Sequence, residues 1–125
     1  MRPRAFWRGS TLGAAILLAS IAAAEPLVLE VADAQPGFDQ RTNEPIVAFR
    51  LTPAAARRFA DFTRENVGKV VDVRVDGRVV TSPVVREPIL GGAGQISGNL
   101  SLIQAKEMAE RLAAGKARLE LAVRE

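Results

Sequence analysis

No cysteine and no histidine occur among the 125 residues. The first absence excludes disulfides, thiolate nucleophiles and thiolate metal sites. The second removes the commonest general base and the commonest transition-metal ligand. A domain of this size must then be held together by its core alone. Serine catalysis loses its usual partner as well. Ser82, Ser97 and Ser101 have no histidine to activate them, and none is followed three residues later by lysine. Asp39, Asn43 and Glu44 lie close together in one polar stretch, but the Asp-x-Asp-x-Asp-Gly spacing of a calcium loop is missing, so they read as loop solvation. No pair of carboxylates stands out for hydrolytic chemistry. The residues therefore predict a protein that is not an enzyme and that needs neither cofactor nor metal.

A long apolar run is missing too. Thr11 to Ala24 is apolar but falls short of the roughly 20 residues that span a bilayer. Arg2, Arg4 and Arg8 precede it, and Ala22-Ala23-Ala24 ends it with the small residues of a signal-peptidase site. This pattern predicts a signal peptide over residues 1–24, cleavage before Glu25, and an exported domain over residues 25–125. A retained leader would instead tether that domain to the membrane. No cysteine is present for a lipid anchor, and Arg-Pro-Arg is not a twin-arginine signal. The formal charge of +3 resides in the three leader arginines, leaving 14 basic and 14 acidic residues beyond them. A neutral domain gives no reason to expect nucleic acid as a partner.

What is present alternates in period. Leu27 to Val31 is a β-rich run that should end at the breakers Gln35-Pro36-Gly37, and Thr42 to Pro45 marks a second loop. Ile46 to Leu51 predicts a strand leading into Thr52-Pro53, a helix N-cap followed by proline at the first helical position. Ala55, Phe59 and Phe62 form the apolar stripe of that helix, and Gly68 closes it. Val71, Val73 and Val75 alternate with polar residues up to Asp76-Gly77, a two-residue hairpin turn into a strand over Arg78 to Val85, with Pro83 at a sheet edge or a bulge. Ser101 and Gln104 have capping-box spacing. Ala105, Met108, Ala109 and Leu112 give a second helix ending at Gly115, and a last strand covers Ala117 to Val123. The order predicts an α+β fold, a ferredoxin-like two-layer sandwich (βαββαβ) with an additional N-terminal strand.

Between the hairpin and the second helix lies EPILGGAGQISGNLS, residues 87–101, with four glycines. Gly92-Ala93-Gly94-Gln95-Ile96-Ser97 nearly matches Gly-x-Gly-x-x-Gly, but serine takes the last place and no Gly-Lys-Ser/Thr follows. A phosphate loop is therefore disfavoured. Two readings remain open for this connection: a segment that adapts to a partner, and a flexible linker.

The stretches FDQRTNEPIVAFRLT, RRFADFTRENVGK, VDGRVVTSPVVREPILGGAGQISGN and AKEMAERLAAG resemble the head subdomain of the first periplasmic domain of the SecD protein-export family. The similarity runs from about Phe38 to Gly115. Its most specific part is the ordered series Asp76-Gly77, Ser82-Pro83, Pro88-Ile89, Gly91-Gly92 and Gly94 to Gly98. The resemblance implies a ferredoxin-like unit that holds emerging preprotein, with exported or unfolded polypeptide and Sec translocase components as partners. Family members continue into membrane helices that couple transport to the proton gradient. This sequence stops at Glu125, so the expectation is chain handling by a stand-alone exported domain without a motor. On this reading the contact surface comprises Pro83, Val84, Val85 and Arg86 at a sheet edge, with Gly91, Gly92, Gly94, Gln95, Ile96, Ser97 and Gly98 of the glycine segment. Two rivals belong to other classes. One is a binder of small anions using the loop amides and the second helix N-terminus, with Arg86 as the nearest cation; the other is a scaffold that kept the fold and lost the client.

Overall fold

The computed structural model describes residues 25–124. Its strands are β1 (Leu27–Leu29), β2 (Val31–Phe38), β3 (Pro45–Leu51), β4 (Val71–Val75), β5 (Arg78–Thr81), β6 (Ala93–Ile96) and β7 (Leu119–Val123). The helices are α1 (Pro53–Glu65), between β3 and β4, and α2 (Leu102–Ala113), between β6 and β7. Both helices begin where the sequence signals them. Thr52 accepts the Ala55 N–H on its hydroxyl with Pro53 in the first turn, and Ser101 and Gln104 close a reciprocal capping box. Helix α2 ends in a Schellman arrangement, with the N–H of Gly115 donating to Leu112 O and that of Lys116 to Arg111 O.

The strands form two antiparallel sheets, ordered β1-β7-β4-β5 and β2-β3-β6. The fold is thus α+β, but the single sheet of a ferredoxin-like sandwich is not what the pairing gives. The reason lies at β3. Its two edges are taken by β2 and by β6, so it has no ladder left to offer β4 or β7. The N-terminal run is divided as well: Leu27–Leu29 pairs with β7 and Val31–Phe38 with β3, with Glu30 as the hinge between sheets.

Two expectations are corrected within the strands. Gln35-Pro36-Gly37 does not end a strand but lies inside β2. Pro36 faces Val47, and its register places the missing N–H on the outer side of β2, where no ladder bond is lost. The strand after Asp76-Gly77 stops at Thr81, and beyond it only Val84 forms an isolated bridge, to Val70. Asp76 and Gly77 both have positive φ, 53° and 82°, as a two-residue hairpin turn requires.

One core joins both sheets. Val47 and Ile96 from the three-stranded sheet, Val71, Leu119 and Leu121 from the four-stranded one, and Ala55, Phe59, Ala105, Ala109 and Leu112 from the helices form a single buried cluster. The alanines let α2 approach β2 and β3 closely. Surface ties connect the elements: Arg58 of α1 bonds both Val28 O and the Glu30 carboxylate, and Asp76 at the hairpin turn accepts from Arg111 (2.6 Å) and from the Arg118 N–H (2.9 Å). These bonds hold the Asp76 carboxyl below its usual range, the Arg118 amide first and the Arg111 guanidinium second.

Candidate functional site

The residues singled out from the sequence fall on one continuous path. Its first part, Pro83 to Val85, lies against the chain leaving α1. The Val71 N–H donates to Pro83 O at 2.9 Å, the Val85 N–H to Lys69 O at 3.0 Å, and the Gly68 N–H to Val85 O at 2.7 Å. Val85 is buried by this pairing, whereas Pro83, Val84 and Arg86 are exposed. The edge expected over Pro83 to Arg86 is therefore mostly used, and Val84 is the residue whose main chain faces outward.

The path then turns along α1. The Ile89 N–H donates to Thr63 Oγ1 (2.9 Å), and this buried hydroxyl in turn donates to Phe59 O (3.0 Å). Further on, an added Cβ on Gly92 would stand 2.6 Å from the Ala56 Cβ. Thr63 and Ala56 are seven residues apart, about 10 Å along a helix. Ile89 and Gly92 are three apart, about 10 Å of extended chain. Residues 86–92 are thus a strap laid antiparallel along the helix. Gly92 has φ 70° and is buried, so its geometry and its contact both require the absence of a side chain.

The last part is β6. The Leu51 N–H donates to Gly92 O (2.8 Å), and the ladder continues through Phe49 with Gly94 and Val47 with Ile96. The Phe49 ring lies across Gly94, where a Cβ would meet Cζ at 2.8 Å. Ile96 is 1% exposed and belongs to the core. The expectation of an irregular connection is corrected here: Ala93–Ile96 is a strand, fixed by tertiary pairing and not by intrinsic propensity. Ser97 and Gly98 are exposed after it, and Gly98 lies beside Val80 O of β5.

This arrangement bears on the anion alternative. The near-match to a phosphate loop does not run into a helix N-terminus: it forms β6, and Gly94 and Ile96 are committed to the ladder with β3. The α2 N-terminus is occupied by its own box, with Ser101 N–H to Gln104 Oε1 at 2.9 Å and Gln104 N–H to Ser101 Oγ at 3.0 Å. Arg86 is exposed. At the β2–β3 tip, Asp39 Oδ1 accepts from the Arg41 and Thr42 amides, which lower its pKa and leave that carboxylate closing a turn.

Large apolar side chains are exposed along the path. Val84 is 45% exposed, Ile89 37% and Leu90 67%, and Val67, 48% exposed, adjoins the Gly68–Val85 bond. Sequence reasoning missed Ile89, Leu90 and Val67. The available signal was Ile89-Leu90 set between Pro88 and the pair Gly91-Gly92, apolar residues with no alternation to bury them. Beyond the strap, the outer face of the three-stranded sheet carries a shallow groove of about 470 Å³ lined by Asp33, Gln35, Ala48, Phe49, Arg50, Ala93, Gly94 and Gln95. Among the described residues no helix is long and apolar enough to cross a membrane. The leader expected over residues 1–24 lies outside them.

Comparison with known proteins supplies the family. The profile of the SecDF P1 head subdomain matches residues 19–118. Protein translocase subunit SecD of Thermobaculum terrenum is 48% identical over 69 residues, 55% of this chain and 13% of that protein. Protein translocase subunit SecDF of Thermus thermophilus is 41% identical over 96 residues, 77% of this chain and 13% of the relative. A solved structure of SecDF, described as a membrane component that enhances protein export, superimposes with a TM-score of 0.66 at 41% identity, covering 77% of this chain and 43% of that one. The chain spans only 13% to 22% of these and similar curated relatives. It belongs to the SecDF P1 head subdomain family, a group of protein-translocation components and not of enzymes.

Proposed function

We propose that this protein binds extended polypeptide in the cell envelope in connection with protein export. The observation that carries the reading is the path over residues 83–98, where Val84 and, on the fixed strap, Ile89 and Leu90 are exposed. An apolar strip fixed to rigid elements suits a partner that is itself unfolded and still exposes its apolar side chains. The relatives named as translocase subunits support the same reading, since a segment matching their head subdomain would meet chains emerging from the membrane. The partners in this proposal are exported or unfolded polypeptide and, around it, Sec translocase components. The location is the periplasm, reached through the leader over residues 1–24.

The contact surface contains Pro83, Val84 and Arg86 with the outward positions of Gly91 to Gly98. Val85, Gly92 and Ile96 are buried and act by holding it in place. Isothermal titration of the full chain with a permanently unfolded, reduced and alkylated secretory protein should show weak binding. Leu90→Asp and Val84→Asp should each weaken it about three- to tenfold by placing charge in the strip. Absence of any heat or competition at millimolar client would remove the proposal.

A further inference from the structure

The two sheets have four edges, and three are guarded. On β1, Arg58 Nη1 donates to Val28 O at 2.8 Å, filling the outward carbonyl of that short strand. On β2, Pro36 has no N–H to present, and the register slips between Val31 and Asp33. On β5, a bulge interrupts the strand at Val80, and Gly98 sits against the Val80 carbonyl. Proline, bulges and covering groups are the means by which sheets avoid pairing with other chains. Strand β6 has none of them: Ala93-Gly94-Gln95-Ile96 contains no proline and no charge, its register with β3 is unbroken, and among the described residues no strand lies on its far side.

The register identifies the free groups. Gly92 O accepts from Leu51 N–H, and antiparallel pairs alternate between bonded and unbonded, so Gly94 and Ile96 face β3 while Ala93 and Gln95 turn their N–H and C=O outward. Ala93 and Gln95 are also exposed. We infer that β6 is the point where an extended segment of another polypeptide adds as a strand, bonded through the main chain of Ala93 and Gln95. This deepens the polypeptide-binding reading and rests on it.

The chemistry favours a passing chain over a second copy. Main-chain bonds do not depend on the side chains of the incoming strand, and the neighbouring groove is mostly small or polar, with Ala48, Ala93, Gln35, Gln95 and the opposite charges Asp33 and Arg50 beside Phe49. Two outward residues give a handful of bonds, whereas a stable pair of folded subunits needs about 800 Å² from each partner. A four-residue edge is far short of that. It is suited to a contact that forms and releases as a chain moves by. The same edge is continuous with the apolar strap that ends at Gly92.

The test uses the full chain and a short, unstructured, Val/Thr-rich peptide, with a second peptide in which alternate backbone nitrogens are methylated. Amide hydrogen exchange at Ala93 and Gln95 should slow when the parent peptide is added. The methylated peptide should bind about tenfold more weakly, because it cannot complete the ladder. Gln95→Pro removes one outward N–H without removing a bond to β3 and should cause a similar loss. Equal binding of the two peptides overturns main-chain recognition without depending on the fold of any variant. If the peptide binds but slows exchange at Val84 and Leu90 instead, the polypeptide-binding reading stands and the β6 assignment falls. Protection of Ala93 and Gln95 that rises with protein concentration in the absence of peptide would give the edge to a second copy and overturn the assignment. Failure of both peptides and of an unfolded protein to bind overturns the functional reading itself.

Discussion

The four-stranded sheet and the three-stranded sheet share one core but are stabilised differently. The first rests on alternating valines and leucines, a two-residue turn, and carboxylates tied to arginines: Asp72 to Ser82 at 2.7 Å and Arg124 at 2.8 Å, Asp76 to Arg111 and to Arg118. The second is built from segments of poor β propensity, one containing Pro36 and Gly37 and the other Ala93-Gly94-Gln95-Ile96, recruited on either side of β3. The difference teaches that the region carrying the candidate surface is formed by tertiary pairing. Its edge stays open because it has little of its own besides main chain to offer.

The contrast is sharpest at Ile96. If β6 is a structural strand, Ile96→Ala should cost about 2–5 kcal/mol in urea unfolding, the range for deleting a fully buried aliphatic side chain. A loss of a few tenths would return the segment to a loop. The strap gives the next largest effect. Gly92→Ala places a Cβ against Ala56 at positive φ and should destabilise by about 1–3 kcal/mol, whereas Gly91→Ala, with open space around it, should stay within about 0.5 kcal/mol. Equal effects at the two glycines would mean that the strap is not seated on α1.

Acid should act on the four-stranded sheet by a smaller, graded loss. The pKa values of Asp72 and Asp76 are lowered, the first by the Ser82 hydroxyl and Arg124, the second by the Arg118 amide and Arg111. A carboxylate with a depressed folded-state pKa contributes stability that is complete above its unfolded value, near 3.9, and is lost as pH falls through the lower folded value. Urea midpoints should therefore decline between about pH 5 and pH 2. Asp72→Asn and Asp76→Asn should each flatten that decline, and an unchanged slope would show that these ties do not distinguish the folded chain.

Much of the four-stranded sheet was legible in the sequence because its signals are local. Valine alternation gives β4, Asp76-Gly77 gives the turn, and Leu119, Leu121 and Val123 give β7. Both helices were legible for the same reason, through Thr52-Pro53 and the Ser101/Gln104 box. Of the three-stranded sheet only the central strand β3 was, through Ile46 to Leu51. Pro36 reads as a breaker because its outward register is set only once β3 is alongside, and Gly94 reads as a hinge because the Phe49 ring that covers it is 45 residues away. The candidate surface was half legible. Val84 and the segment from Gly91 to Gly98 were singled out, but the strap, with exposed Ile89 and Leu90, depends on the Thr63 hydroxyl and on Ala56, neither of which announces such a partner.

Site-specific photocrosslinking in intact cells tests the central claim most directly. A photoreactive side chain placed at Leu90 or at Gln95 should capture exported polypeptide while its synthesis and export are in progress. The same group at Glu110, exposed on α2, should capture little. Capture of exported chains at Leu90 and Gln95 but not at Glu110 is the predicted result. No capture at either position, or equal capture from all three, would contradict a polypeptide-contact surface along residues 83–98.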